Sequence, residues 1–169
     1  EEFKDDKSVG LIVKTNRGRE HAMDKMHTKR MLSQILSELG SPAFPKVYLL
    51  HGDMSRSEMN SLYKHKNTKA LLSLTRGEGF GLPLLEAAVA GLPVIATNWS
   101  AHTEFLNKGR WLSLDYSLKP IHSHKIDNEI FVPGAHWAEV SESSFKKTVK
   151  KFRKSYTTPT DWAQNLSET

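Results

Sequence analysis

The chain has 169 residues, 38% of them hydrophobic, with a formal net charge of +5 and a mean hydropathy of −0.50. That length corresponds to about one domain with one sizeable core, so residues 1–169 are expected to form a single domain. The absence of cysteine excludes a disulfide scaffold and any thiolate metal site. No apolar run approaches a membrane span and no signal peptide is visible.

In chain order, the hydrophobic pattern predicts a strand over roughly 9–14 and a helix over roughly 20–39 that ends at Gly40. A second strand is expected near 46–51, a helix near 55–65, and a short buried strand, Ala70-Leu71-Leu72-Ser73-Leu74. An alanine-rich apolar helix over 82–90 follows, then the strand Pro93-Val94-Ile95-Ala96-Thr97, a short helix near 101–107 and the strand Trp111-Leu112-Ser113-Leu114. Residues 115–136, with Pro120, Pro133 and Gly134, read as irregular or extended chain. The last expected helix is 142–155. Short apolar strands alternating with helices argue for an α/β fold: a Rossmann-like open parallel sheet with helices on both faces. Ligands of such sheets sit beyond the carboxyl ends of the strands, which is where Lys14, His51, the 76–81 turn and residues 97–100 fall.

The segment Arg76-Gly77-Glu78-Gly79-Phe80-Gly81-Leu82-Pro83-Leu84-Leu85-Glu86 is the most informative. It leads from a strand through a glycine-rich turn into a helix, and so delivers free N–H groups and the positive end of a helix dipole to one point. That suits a diphosphate. Gly79 and Gly81 can take positive φ and have no Cβ to keep a phosphate away from the backbone. Pro83 suits the first helical turn, and Glu86 is expected in that same turn, projecting near the ligand. Glu78 sits on the turn, at the mouth of the cleft. Two glutamates eight positions apart are ordinary surface charge when nothing else accompanies them. A glycine turn alone is equally weak, and this one lacks the spacing of the dinucleotide fingerprint and of the P-loop.

The joint pattern resembles the E-x7-E signature of the retaining glycosyltransferases of GT-B fold, the family that includes glycogen synthase and sucrose synthase. The words EGFGLPLLEA, AGLPVIAT and TEFL carry the resemblance. Fainter likeness extends over roughly 9–155, in the strands at 9–14 and 46–52, the 55–64 helix, Glu104 and Trp137-Ala138-Glu139; residues 70–106 are the diagnostic part. The resemblance implies the C-terminal, donor-binding half of a two-domain hexosyltransferase. Its substrate is a nucleotide-diphosphate sugar, and sugar transfer proceeds with retention to an acceptor (glycan, lipid-linked or protein) held by an N-terminal domain. Because the chain begins without Met, it reads as a fragment of a longer enzyme, expected to bind donor but to be inactive alone. Neither a cofactor nor a metal is expected, since no Asp-x-Asp motif is present and the histidines, His122 and His124 included, lack ligand spacing.

By the same resemblance, Glu78 holds hydroxyls of the transferred sugar and Glu86 those of the ribose, with Gly79, Phe80, Gly81 and Leu82 forming the donor turn. Many relatives use an Arg and a Lys five residues apart after the first strand. Here Lys14 and Arg19 stand in reversed order, with Arg17 a competitor and a solvated polar loop the simpler reading. Arg76 is a further donor-side cation that can equally pair with an acidic neighbour. Ser100 stands in a loop where most relatives carry paired glycines. It reads either as a donor-binding residue or as the N-cap of the following helix.

The lysines of 146–154 flank Phe145, Val149 and Phe152, an apolar stripe at helical spacing, so they are expected on the solvated face of a packed helix. Peripheral contact with a membrane is the second reading. No nucleic-acid motif is present, and a nucleic-acid partner is not expected. The expected location is cytoplasmic, at the membrane surface under that second reading. Two other functions remain open: a non-catalytic nucleotide-sugar-binding module, and a sugar-nucleotide epimerase.

Overall fold

The computed structural model of the chain describes residues 3–18, 21–40 and 45–169. It divides into two compact units, Glu1–Arg56 and Ser57–Thr169.

In the first unit, β1 (Gly10–Thr15) and β2 (Lys46–His51) pair in parallel, from Gly10 opposite Lys46 to Thr15 opposite His51. Parallel partners need a crossover connection, and α1 (Ala22–Glu38) lies within it. A capping box closes the start of α1, with the His21 side chain and Asp24 exchanging bonds with each other's backbone N–H.

The second unit holds α2 (Arg56–Tyr63, whose first residue belongs to the other unit) and a three-stranded parallel sheet of order β3-β4-β5. The strands are β3 (Leu71–Ser73), β4 (Val94–Thr97) and β5 (Leu112–Leu114). Helix α3 (Leu82–Val89) connects β3 to β4, and α4 (Thr103–Leu106) connects β4 to β5. All four residues of β4 are buried, which accounts for its unbroken apolar spelling as the central strand. Leu84, Ala87 and Ala88 of α3 pack with Val94 and Ala96 of β4, Leu92, Leu106 and Tyr63 into the core. Alanines on that face of α3 let the helix lie close to the sheet.

The fold is α/β and Rossmann-like, with parallel strands alternating with helices. It departs from the sequence reading in three places. The parallel strands form a two-stranded and a three-stranded sheet. Residues 115–136, read as irregular or extended chain without a named element, contain β6 (Tyr116–Pro120) and a 3-10 turn over Ser123–Lys125. Strand β6 pairs antiparallel with β7 (His136–Val140), the strand that carries Trp137-Ala138-Glu139. After α5 (Glu142–Lys154) comes an unforeseen helix, α6 (Thr157–Ser167), which packs against α3 and places Ala163 in the interior.

On α5, Phe145, Val149 and Phe152 are half-buried while Lys147, Lys150, Lys151 and Lys154 face solvent, the division that the helical spacing predicts. Among the described residues no helix is long and apolar enough to cross a membrane.

Candidate functional site: the turn between β3 and α3

Gly81 is the N-cap of α3 and sits in the left-handed region, at φ 83°. A Cβ there would lie 3.0 Å from Cβ of His102 and 3.3 Å from Cδ1 of Leu84, so conformation and space both demand glycine. Its carbonyl accepts from the N–H groups of Leu84 and Leu85 at 2.9 and 3.0 Å, starting the helix with Pro83 in the first turn.

Gly79 does not use the left-handed freedom open to glycine: its φ is not positive. A Cβ built on it meets nothing within 4 Å. The fold therefore does not require glycine at this position. What the missing side chain provides is open approach to the backbone from outside. None of Gly79, Phe80 and Gly81 donates its N–H to another group among the described residues. The positive end of α3 begins immediately beyond them. Phe80 and Leu82 are more than half exposed, with the Phe80 ring 5.9 Å from that of Phe105.

Glu78 is held by its main chain. Its N–H donates to Oγ of Ser100 at 2.9 Å, and the Ser100 hydroxyl donates to the Glu78 carbonyl at 2.7 Å. One side chain thus satisfies both backbone groups of a residue 22 positions away and leaves the Glu78 carboxylate free to be aimed. The helix-cap reading of Ser100 is corrected: the N-cap of α4 is His102, and it is the Ser100 carbonyl that accepts from the N–H and hydroxyl of Thr103. Ser100 reaches this position at φ 89°, a conformation that costs a non-glycine residue on the order of 1–3 kcal/mol.

Helix α3 begins at Leu82 as the sequence reading has it, which makes Glu86 its fifth residue, one position beyond the first turn where it was expected. It is half-buried, and its Oε2 stands 3.4 Å from the Tyr63 hydroxyl, which donates to it. Burial, the negative charge of Glu86 and this hydrogen bond push the Tyr63 pKa up to about 12.

Beneath the turn lies a polar network that the sequence did not reveal. The Thr97 hydroxyl donates to the Thr75 carbonyl at 2.9 Å, joining the ends of β4 and β3. His102 is fully buried, with Nε2 2.7 Å from the Thr97 carbonyl. A carbonyl only accepts, so Nε2 carries the hydrogen; Nδ1 has no partner. Polar residues closing an apolar strand, as Thr97 and Asn98 close β4, were the available signal.

Arg76 is committed to its surroundings. Its guanidinium pairs with Oε1 of Glu139 at 2.7 Å and lies 4.2 Å from the centre of the Trp137 ring. Its carbonyl accepts from Ala138 N–H at 3.0 Å. The β6–β7 pair is thereby strapped to the start of the turn. The rings of Trp99 and Tyr116, 5.4 Å apart, link the loop after β4 to the same pair.

The structure thus brings Arg76, Glu78, Gly79, Phe80, Gly81, Leu82, Glu86 and Ser100 to one strand–turn–helix unit and the loop beside it. Lys14 belongs to the other unit. It lies within β1 opposite Leu50, and its ammonium donates to the Gly52 carbonyl at 2.5 Å. Arg17 places Nη1 at 2.8 Å from the Met31 sulfur. Arg19 lies outside the described residues. No group of three His, Asp or Glu side chains that could hold a metal ion occurs among the described residues.

Residues 44–121 match the family described as glycosyl transferases group 1, a stretch running from before β2 to just beyond β6. A sucrose synthase from Melioribacter roseus is 27% identical over 82 residues, which cover 44% of this chain and 10% of that protein. The match therefore spans only a small part of that relative's length.

Two outcomes are expected. Ser100→Ala keeps the strained backbone and loses both hydrogen bonds, so it should destabilise the protein by about 1–3 kcal/mol in urea titrations. Ser100→Gly relieves the strain and should cost about 1 kcal/mol less than the alanine variant. Both should speed hydrogen exchange at the Glu78 amide. Equal stabilities together with a still-protected amide would exclude the pin.

The Tyr63 shift has a definite sign. The unfolded tyrosine titrates near 10 and the folded one near 12, so the contribution is complete below pH 10 and is lost as pH rises from about 10 to about 12. Stability measured across that window should fall more steeply for the native chain than for Tyr63→Phe. Parallel curves would show that the hydroxyl is not held as described.

Proposed function

We propose that the chain belongs to the group 1 glycosyltransferases and supplies the donor-binding half of a metal-independent, retaining hexosyltransferase, taking a nucleotide-diphosphate sugar as substrate. The observation that carries this reading is the turn itself. Three consecutive N–H groups without partners among the described residues precede a helix start, while the adjoining glutamate is fixed by its backbone. The match over residues 44–121 and the EGFGLPLLEA spelling support it.

In this reading the diphosphate lies against the N–H groups of Gly79, Phe80 and Gly81 at the positive end of α3. Charge grows on the departing diphosphate as the glycosidic bond to the donor breaks. Donors already aimed at that charge stabilise the transition state more than the ground state. Glu86 accepts from the ribose hydroxyls, and Glu78 from hydroxyls of the sugar being transferred. Ser100 acts through the Glu78 backbone, fixing the point on the turn from which the carboxylate extends. On the resemblance alone, Lys14 and Arg19 are proposed to supply positive charge for the diphosphate. Arg76, already paired with Glu139, serves by holding the turn in place. The acceptor hydroxyl attacks from the face the leaving group vacates, and the acceptor is held by a domain N-terminal to this one. Residues 1–169 alone bind donor without turnover.

The test is a thermal-shift panel with UDP, GDP, ADP and their sugars. A ligand at about 100 times its Kd adds roughly 2.7 kcal/mol of stability. At least one nucleotide series should stabilise the chain, and Glu86→Gln should weaken both the nucleoside diphosphate and its sugar by about tenfold. Glu78→Gln should leave the nucleoside diphosphate nearly unchanged and remove the extra stabilisation from the sugar. The role assignment fails if Glu78→Gln weakens the free diphosphate tenfold, and the whole reading fails if no member of the panel stabilises the chain.

A further inference from the structure

The two ends of α3 face different surroundings. Its start forms the turn described above, and its last residues, with Gly91, line a groove of about 520 Å³ on the second unit. Eight helical residues separate the two ends by about 12 Å, so the groove is distinct from the turn. Its volume is within the range of small-molecule sites.

The groove wall is built from the loop after α2 and from one face of α6. Lys64, His65, Lys66 and Lys69 all line it, and none of the lining residues is Asp or Glu. The ammonium groups of Lys64 and Lys66 make no ion pair or hydrogen bond among the described residues. Lys69 is placed more firmly, donating to the Lys66 carbonyl at 2.7 Å and standing 5.0 Å from the centre of the Tyr156 ring. Asn67 N–H donates to Nδ1 of His65 at 3.2 Å, so His65 carries its hydrogen on Nε2 and is a further donor. The hydroxyl of Thr68, also in the lining, is buried and has no partner. Basic side chains on an open convex face repel one another and spread apart. Here three lysines and a histidine are gathered round one concavity without a counter-charge, and an unsatisfied hydroxyl lies among them.

We propose that this groove is a second anion site, which takes a compact, multiply charged phosphate compound: a short polyphosphate or a phosphate ester of a small sugar. Recognition comes from the ammonium groups of Lys64, Lys66 and Lys69 and the Nε2–H of His65. The site stands independently of the donor turn.

The experiment is a titration of the full chain with tripolyphosphate, followed by backbone amide NMR, with a sugar bisphosphate measured in parallel. The amides of residues 64–69 should shift, and those of 79–81 report separately on the turn, so failure at one site is distinguishable from failure at the other. The tighter of the two probes identifies the source of the phosphate. The double variant Lys64→Ala/Lys66→Ala should bind at least about tenfold more weakly, while Lys147→Ala/Lys151→Ala, which removes the same charge from α5, should change affinity by less than about twofold. Equal weakening in both pairs would reduce the effect to net charge and overturn the site. Unchanged affinity with lowered thermal stability in Lys64→Ala/Lys66→Ala would also overturn it, showing that these lysines only compensate the carbonyl ends of α2 and α3.

Discussion

The hydroxyl of Ser100 and the main chain of Glu78 form the contact on which the turn depends. A glycine-rich segment such as Gly77-Glu78-Gly79-Phe80-Gly81 has many accessible conformations, and three N–H groups without partners among the described residues add no internal order. Order comes from its edges. Gly81 is fixed by its carbonyl bonds into α3 and by the His102 side chain beneath it, Arg76 by the bond to Ala138 and the Glu139 pair, and Glu78 by Ser100. The positive φ of Ser100 is the local cost of that arrangement. Glycine would relieve it but carries no hydroxyl. A strained residue whose side chain fixes the backbone of a glutamate beside an open glycine turn is a local cost that the rest of the fold sustains.

Much of the architecture was legible because local pattern and burial agree. Strand β2 occupies Lys46–His51 as the pattern predicts, and the apolar spelling of β4 matches its complete burial. Helix α3 could be read from Pro83 at its start and Gly91 after its end. The misses have physical causes. Helix α6 opens on Thr157-Thr158-Pro159-Thr160, a spelling typical of linkers, and it is held by packing of Pro159 and Ala163 rather than by propensity. Strands β6 and β7 each present a weak pattern and stabilise one another only across the pair, with Pro120 acceptable because it closes β6.

Side-chain roles were less legible than elements. Nothing local distinguishes a serine that caps the next helix from one that reaches back 22 residues to a turn. The pairing of Arg76 with Glu139 spans the whole interval between β3 and β7, so sequence spacing offered only the alternative, not the answer. His102 was passed over because a lone histidine in a short helix has no signature, although it lies fully buried directly beneath Gly81. Glu86 was expected in the first turn of α3 and is its fifth residue, just past that turn, although the helix starts where the sequence reading put it.

The central claim is that the backbone of Gly79, Phe80 and Gly81 grips a diphosphate. Backbone amide NMR of the 15N-labelled chain, titrated with UDP, GDP and ADP, tests it residue by residue. For at least one of the three, the amides of Gly79, Phe80 and Gly81 should move first and farthest, as N–H groups that take on a charged acceptor do. If every nucleoside diphosphate leaves these three resonances in place while shifting others, the turn is not the diphosphate site.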